Sequence, residues 1–197
     1  MQREELKLTR AELKGQKEEM RVQNETLRVQ KFENTFFQLL RMLGETSGAI
    51  DLQVRSGTFK NSTTTIITGK DCFAKFFSFY EDKVQLFGKQ QPPIDFRASY
   101  LEFFETHQSD LGHYFRSLYH IFKLVDQTDN IDQRLYTSLV RAQLSTYELA
   151  LLFYNCLSEL GVEKFKPLIE KYALLKNLPD DVLLEKSHRE LYNKNAF

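Results

Sequence analysis

At 197 residues, with 42% hydrophobic and 27% charged side chains, the chain has the size and composition of a globular domain able to bury a core. Lysine plus arginine equals aspartate plus glutamate at 27 each, which excludes a whole-molecule field toward nucleic acid or an anionic membrane and makes any such binding local. No apolar run approaches the roughly 20 residues that span a bilayer, no signal-peptide pattern opens the chain, and Cys72 and Cys156 lack paired-ligand spacing, so a reduced, cytoplasmic chain with two free thiols is expected.

The first 31 residues repeat with a period of seven, which places Leu6, Leu13, Met20 and Leu27 at one seam position. The partner seam positions are Arg10, Lys17, Asn24 and Lys31 four residues on, or Thr9, Gln16, Gln23 and Gln30 three residues on, so half the seam is polar in either register. Glu, Lys, Arg, Gln and Leu all favour a helix. Two uses of that helix remain open, a weak self-associating coiled coil or a solvated spacer.

From Phe32 the stripe strengthens to Phe32, Phe36, Leu39, Leu40 and Leu43. The helix should run on from the arm into a globular part, 32–197, and stop near Gly44. Alternation at Ile50 to Val54 and a β-branched run at Thr63 to Thr68 predict a hairpin over 49–68, with Ser56 to Ser62 as its turn.

Helical spacing returns with Asp71 as expected cap and Phe73, Phe76, Phe77, Tyr80, Val84 and Phe87 as the stripe, ending in the Gly88 to Pro93 stretch. Phe96, Tyr100, Phe103 and Phe104 mark another helix, with a kink or interruption at His107 to Ser109 and with Ser109 or Asp110 as cap of a central helix. Leu111 to Gln127 then sets Leu111, Phe115, Leu118, Phe122 and Val125 on a core face, and His113, Arg116, His120 and Lys123 on the opposite one.

After a polar connection, Asp126 to Asp132, the next helix carries Tyr136, Leu139, Val140 and Leu144. Ser145 to Glu148 has capping-box spacing, so either a helix restarts there or one helix runs unbroken to Leu160. Gly161 reads as a left-handed helix cap. A last helix over Glu163 to Lys176 would hold Pro167 in its first turn, before a short helical turn at Asp181 to Glu185 and a tail. The sum is a mainly α protein, a helical bundle with a long N-terminal heptad-repeat helix and a small β-hairpin insertion.

Four blocks, Phe32 to Leu43, Leu111 to Gln127, Tyr136 to Gly161 and Lys164 to Leu178, resemble in the same order those of the putative phage abortive infection family, the AbiC-like proteins of bacteria. The resemblance implies a helical cytoplasmic domain in antiphage defence, an effector or sensor whose activation stops phage propagation at the expense of the infected cell. It transfers no catalytic residue. Similar proteins often carry a pair of membrane-spanning helices ahead of a heptad-like arm, whereas this sequence starts within the arm. A membrane partner is therefore expected only where a spanning segment precedes Met1, in which case the chain is the cytosolic part of an anchored toxic effector. Otherwise the expected partners are a second copy, joined through the arm, and a phage or host protein that acts as trigger.

Candidate chemistry centres on His113, Arg116 and His120, since imidazoles suit proton transfer and an arginine beside them suits phosphate binding. Arg116 to His120 resembles the Arg-to-His motif of HEPN ribonucleases, with three intervening residues against that motif's four to six; on this alternative the substrate is RNA. For binding, Arg116, Lys123 and Arg141 could form an anion pocket. Arg141, seven residues before Glu148, could instead pair with it as a buried ion pair that holds helices in register. Packing or plain solvation of the Arg116 face is the competing explanation. No metal-ligand spacing and no cofactor motif occur: the four histidines and two cysteines form neither HxxxH nor CxxC.

Overall fold

A computed structural model describes residues 2–58, 61–89 and 95–197. Helix α1 (Gln2–Gly48) leads to strands β1 (Asp51–Thr58) and β2 (Asn61–Thr68), then to α2 (Asp71–Gly88), α3 (Phe96–Asp126), α4 (Gln133–Gln143), α5 (Thr146–Leu157) and α6 (Lys166–Tyr172). Three 3-10 turns, Asp180–Val182, Lys186–Leu191 and Lys194–Ala196, close the chain. The mainly α class and the small hairpin are as the sequence predicts.

At 1.5 Å per residue, α1 is about 70 Å long, and every residue from Gln2 to Arg28 is exposed. Burial begins with Val29 and Phe32 and continues through Phe36, Leu43 and Ser47. The helix passes Gly44 by a full turn, further than its sequence suggests. A β-carbon at Gly44 would meet nothing within 4 Å, and hydroxyls of Thr46 and Ser47 bond back to the carbonyls of Met42 and Gly44. The end of α1 is therefore set by the turn into the hairpin, not by that glycine. Tyr136 of α4 locks this part of α1 in place, with its ring edge-on to Phe32 (4.8 Å) and Phe36 (5.0 Å) and its hydroxyl donating to Glu33 Oε1 at 2.7 Å.

Antiparallel pairing runs from Asp51 with Thr68 to Thr58 with Asn61, so the strands extend into the stretch expected as a Ser56 to Ser62 turn. Residues 59–60 lie outside the described residues, as do 90–94, which include most of the expected break before Phe96. The base of the hairpin is pinned to α2 by the Cys72 thiol, which donates toward the carbonyls of Ile67 (3.2 Å) and Ile50 (3.6 Å). Gly69 makes the corner into α2 at φ +64°, a conformation that L side chains rarely adopt. Asp71 is the first helical residue and not the cap; Lys70 holds the cap position without a side-chain capping bond. A carboxylate in the first turn remains favourable against the helix dipole.

The α3 kink falls at His107 (φ −116°, ψ 17°), within the expected His107 to Ser109 stretch, and two helical segments meet there. The predicted stripe of Leu111, Phe115, Leu118, Phe122 and Val125 is buried throughout. Beyond α3, Asp132 caps α4 by accepting from the Leu135 amide, while Leu139, expected in the core, is exposed. Leu144 takes an extended conformation, and α5 restarts at Ser145 with both halves of a capping box formed. All ten residues from Glu148 to Leu157 are buried, which makes α5 the axis of the core.

The last predicted helix is shorter than Glu163 to Lys176. Only Lys166–Tyr172 is α-helical, and Ala173 at φ +50° ends it. The C-terminal tail folds back onto the body: the Leu175 amide donates to the Ala196 carbonyl at 2.9 Å, and the Tyr192 hydroxyl to that of Phe153 at 2.7 Å.

Candidate functional site

The polar face of α3 opens on a groove of about 530 Å³ whose opposite wall is the loop between α5 and α6. Four basic side chains edge it: Arg116, His120 and Lys123 from α3, and Lys164 from the loop. Phe104, Phe115, Tyr119 and Phe165 supply its aromatic floor.

Two glycines shape the groove. Gly112, buried on α3, lies beneath the Arg116 side chain, where a β-carbon would sit 3.8 Å from Nη2. Gly161 lets the loop press onto the end of α5: a β-carbon there would come within 2.9 Å of the Cys156 α-carbon. Gly161 is not in the left-handed region, so close approach, and not the expected helix cap, is what requires a glycine. Its carbonyl accepts from the amides of Phe165 (2.9 Å) and Lys166 (3.0 Å), curling the loop so that Phe165 meets Tyr119 at 5.6 Å and Phe122 at 5.9 Å.

Charge within the groove is one-sided. None of its lining residues is acidic, although the whole chain is neutral. Among the described residues, Arg116, Lys123 and Lys164 make no ion pair, whereas nearby Lys166 pairs with Glu170 (2.6 Å) and Lys171 with Asp126 (2.5 Å). Arg116 Nη2 lies 3.3 Å from His113 Nδ1, and Lys123 Nζ lies 6.0 Å from the centre of the Tyr119 ring. Such an arrangement can hold an anion by charge-assisted hydrogen bonds.

Of the residues singled out from sequence, Arg116, His120 and Lys123 come together here, and His113 joins only through Arg116. Arg141 does not. Its guanidinium donates to the Ala173 carbonyl at 3.0 Å, holding the end of α6, and it contacts neither the groove nor Glu148. Because α4 and α5 are separate helices, the expected Arg141–Glu148 pair does not form. Glu148 instead accepts from the Ser145 amide (2.6 Å) and the Tyr114 hydroxyl (2.8 Å), with Lys70 Nζ at 3.7 Å. Sequence reasoning misses Lys164 and Phe165 as site residues; their only local signal is a basic–aromatic pair shortly after a tightly packed glycine. Among the described residues no group of three His, Cys, Asp or Glu side chains could hold a metal ion, and no helix is long and apolar enough to cross a membrane.

Residues 106–183 match the family model described as Putative phage abortive infection protein, so the segment from the α3 kink to just past the first 3-10 turn is AbiC-like. That segment holds every lining residue of the groove except Phe104, and leaves out the arm and the hairpin. The match associates it with phage abortive infection. No curated protein and no solved structure matches the chain.

Proposed function

We propose that the protein is an abortive-infection effector or sensor that works through protein contacts, with copies of the chain joined in parallel through the arm. The exposed seam carries this reading: Leu6, Leu13, Met20 and Leu27 are 57%, 59%, 63% and 60% exposed. At about 100° per residue, Leu27 lies half a turn round α1 from Phe36, which faces the body. A second arm can therefore lie along the seam without meeting the body. Asn34 and Phe37, both exposed, extend the seam past the arm.

Charge favours one orientation. Glu5, Glu12 and Glu19 precede the first three seam residues, and Arg10, Lys17 and Lys31 follow theirs by four. In a parallel, in-register pair, Glu5 faces Arg10 of the second copy and Glu12 faces Lys17, whereas an antiparallel pair sets like charges opposite each other. Polar layers at Thr9, Gln16 and Gln23 keep the association weak enough to respond to concentration.

Leu6→Cys and Leu27→Cys, each made in the full chain and oxidised mildly, test this. A parallel pair gives disulfide-linked dimers with either variant alone; cross-linking only in a mixture of the two reverses the orientation, and none, with monomers by light scattering, removes the reading.

A second reading, a HEPN-like ribonuclease using Arg116 and His120, is supported by the presence of both residues in one groove. It expects purified protein to cleave total RNA, and Arg116→Ala with His120→Ala to abolish cleavage; no cleavage by the native chain rejects it.

A further inference from the structure

We infer that the groove between α3 and the α5–α6 loop is a nucleotide-binding site, which recognises a phosphate chain with its basic rim and a flat ring with its aromatic floor. This inference rests neither on self-association nor on RNA cleavage.

Three observations converge on that ligand class. The first is the unbalanced charge. Arg116, Lys123 and Lys164 approach from two separate elements with no carboxylate among the groove's lining residues, while Lys166 and Lys171 a few residues on are paired. Cations held together without counter-charge repel one another, and an anion bound among them relieves that repulsion. A guanidinium can also grip phosphate oxygens with two parallel donors.

The second observation is the floor. Phe104, Phe115 and Phe165 present little area, but Tyr119 is partly exposed, its ring fixed edge-on to Phe165 (5.6 Å, 69°) and to His120 (5.4 Å, 61°). A planar base can stack on a ring held in that way, as in single-strand and nucleotide sites generally. Inorganic phosphate or sulfate would use the rim and leave this surface uncovered.

Size is the third. A groove of about 530 Å³ lies within the usual range for small-ligand sites, roughly 300–1,000 Å³. It has room for one nucleotide and not for a folded RNA. Gly161 seats the Lys164 wall against the end of α5, because a side chain there would push that wall off α5.

Isothermal titration of the full chain at 150 mM salt with ATP, GTP, CTP and UTP, and with tripolyphosphate as the ringless control, tests the assignment. At least one nucleotide should bind, with tripolyphosphate about tenfold weaker or more. Arg116→Ala and Lys123→Ala, both at sites exposed enough to leave the core intact, should each weaken nucleotide binding about tenfold. Failure of all four nucleotides to bind at millimolar concentration overturns the inference. So does binding that both substitutions leave unchanged. Equal affinity for tripolyphosphate makes this an anion site and overturns the base-stacking half. Circular dichroism of each variant separates lost binding from lost folding.

Discussion

The Tyr114 hydroxyl donates a 2.8 Å hydrogen bond to Oε1 of Glu148, joining the middle of α3 to the capping box of α5 inside the core. Both side chains are buried, Glu148 at 2% exposure, and the other carboxylate oxygen takes the Ser145 amide at 2.6 Å. Truncation of Glu148 strands two donors at once. Glu148→Ala should cost about 2–4 kcal/mol in chemical denaturation, and Tyr114→Phe about 1–2 kcal/mol. A double-mutant cycle should show strong coupling, and simple additivity would mean that the bond contributes nothing.

His107 sits at the α3 kink, its ring packed on Phe76, Phe79 and Phe103 within 5.1 to 5.4 Å. Burial lowers its pKa, with Lys83 acting the same way and Asp110 opposing. His188 is lowered too, chiefly by burial, and its Nδ1 lies 3.1 Å from the Tyr154 hydroxyl, which already accepts from the Leu184 amide and so has its proton to give. Both rings are held neutral, and their protonation is easier in the unfolded chain. Stability is then full above the unfolded value of about 6.5 and falls as pH drops through it toward the lower folded values. Melting temperature should decline between pH 7 and 5, and His107→Phe should flatten that decline; an unchanged slope would contradict it.

Two groove glycines predict opposite outcomes. At Gly112 a β-carbon would first meet the Gln108 side chain at 3.5 Å, an ordinary contact, so Gly112→Ala should be neutral or stabilise the helix by up to about 1 kcal/mol. At Gly161 the first atom met is backbone at 2.9 Å, so Gly161→Ala should destabilise by about 1–3 kcal/mol. Thermal melts of the two variants should separate them clearly.

Cys72 and Cys156 are both fully buried, and burial raises the pKa of each thiol. A thiol reagent at pH 8 should label neither in the native chain over minutes and both in denaturant. Fast native labelling of Cys72 would mean that the hairpin base opens readily, because that thiol is held against the carbonyls of Ile50 and Ile67.

Local periodicity made parts of this fold legible in the sequence. The α3 stripe shows because five apolar residues recur at helical spacing, and the α5 start because Ser145 and Glu148 satisfy each other within one turn. Where meaning depends on distant neighbours, the pattern misleads. A glycine just past a helix has the same local signature whether it turns left-handed or lies flat against another backbone, and only the packing on Cys156 distinguishes them at Gly161. Seven-residue spacing suggests an Arg141–Glu148 pair, but extended Leu144 breaks the helix between them. One wall of the groove is visible as a polar helix face. The other comes from Lys164 and Phe165, more than forty residues on from Arg116 and Tyr119, and no periodicity links such positions.

Helix α1 runs from Gln2 to Gly48 without a break, so the arm and the body have no hinge between them. The residues that would meet a second copy and the residues clasped by Tyr136 occupy one rod. A twist imposed at Leu13 or Met20 by a second copy would act on Glu33 and Phe36, and through Tyr136 on α4. The arm is in that sense a driveshaft, and the first place it can do work is the junction of α1 with α4.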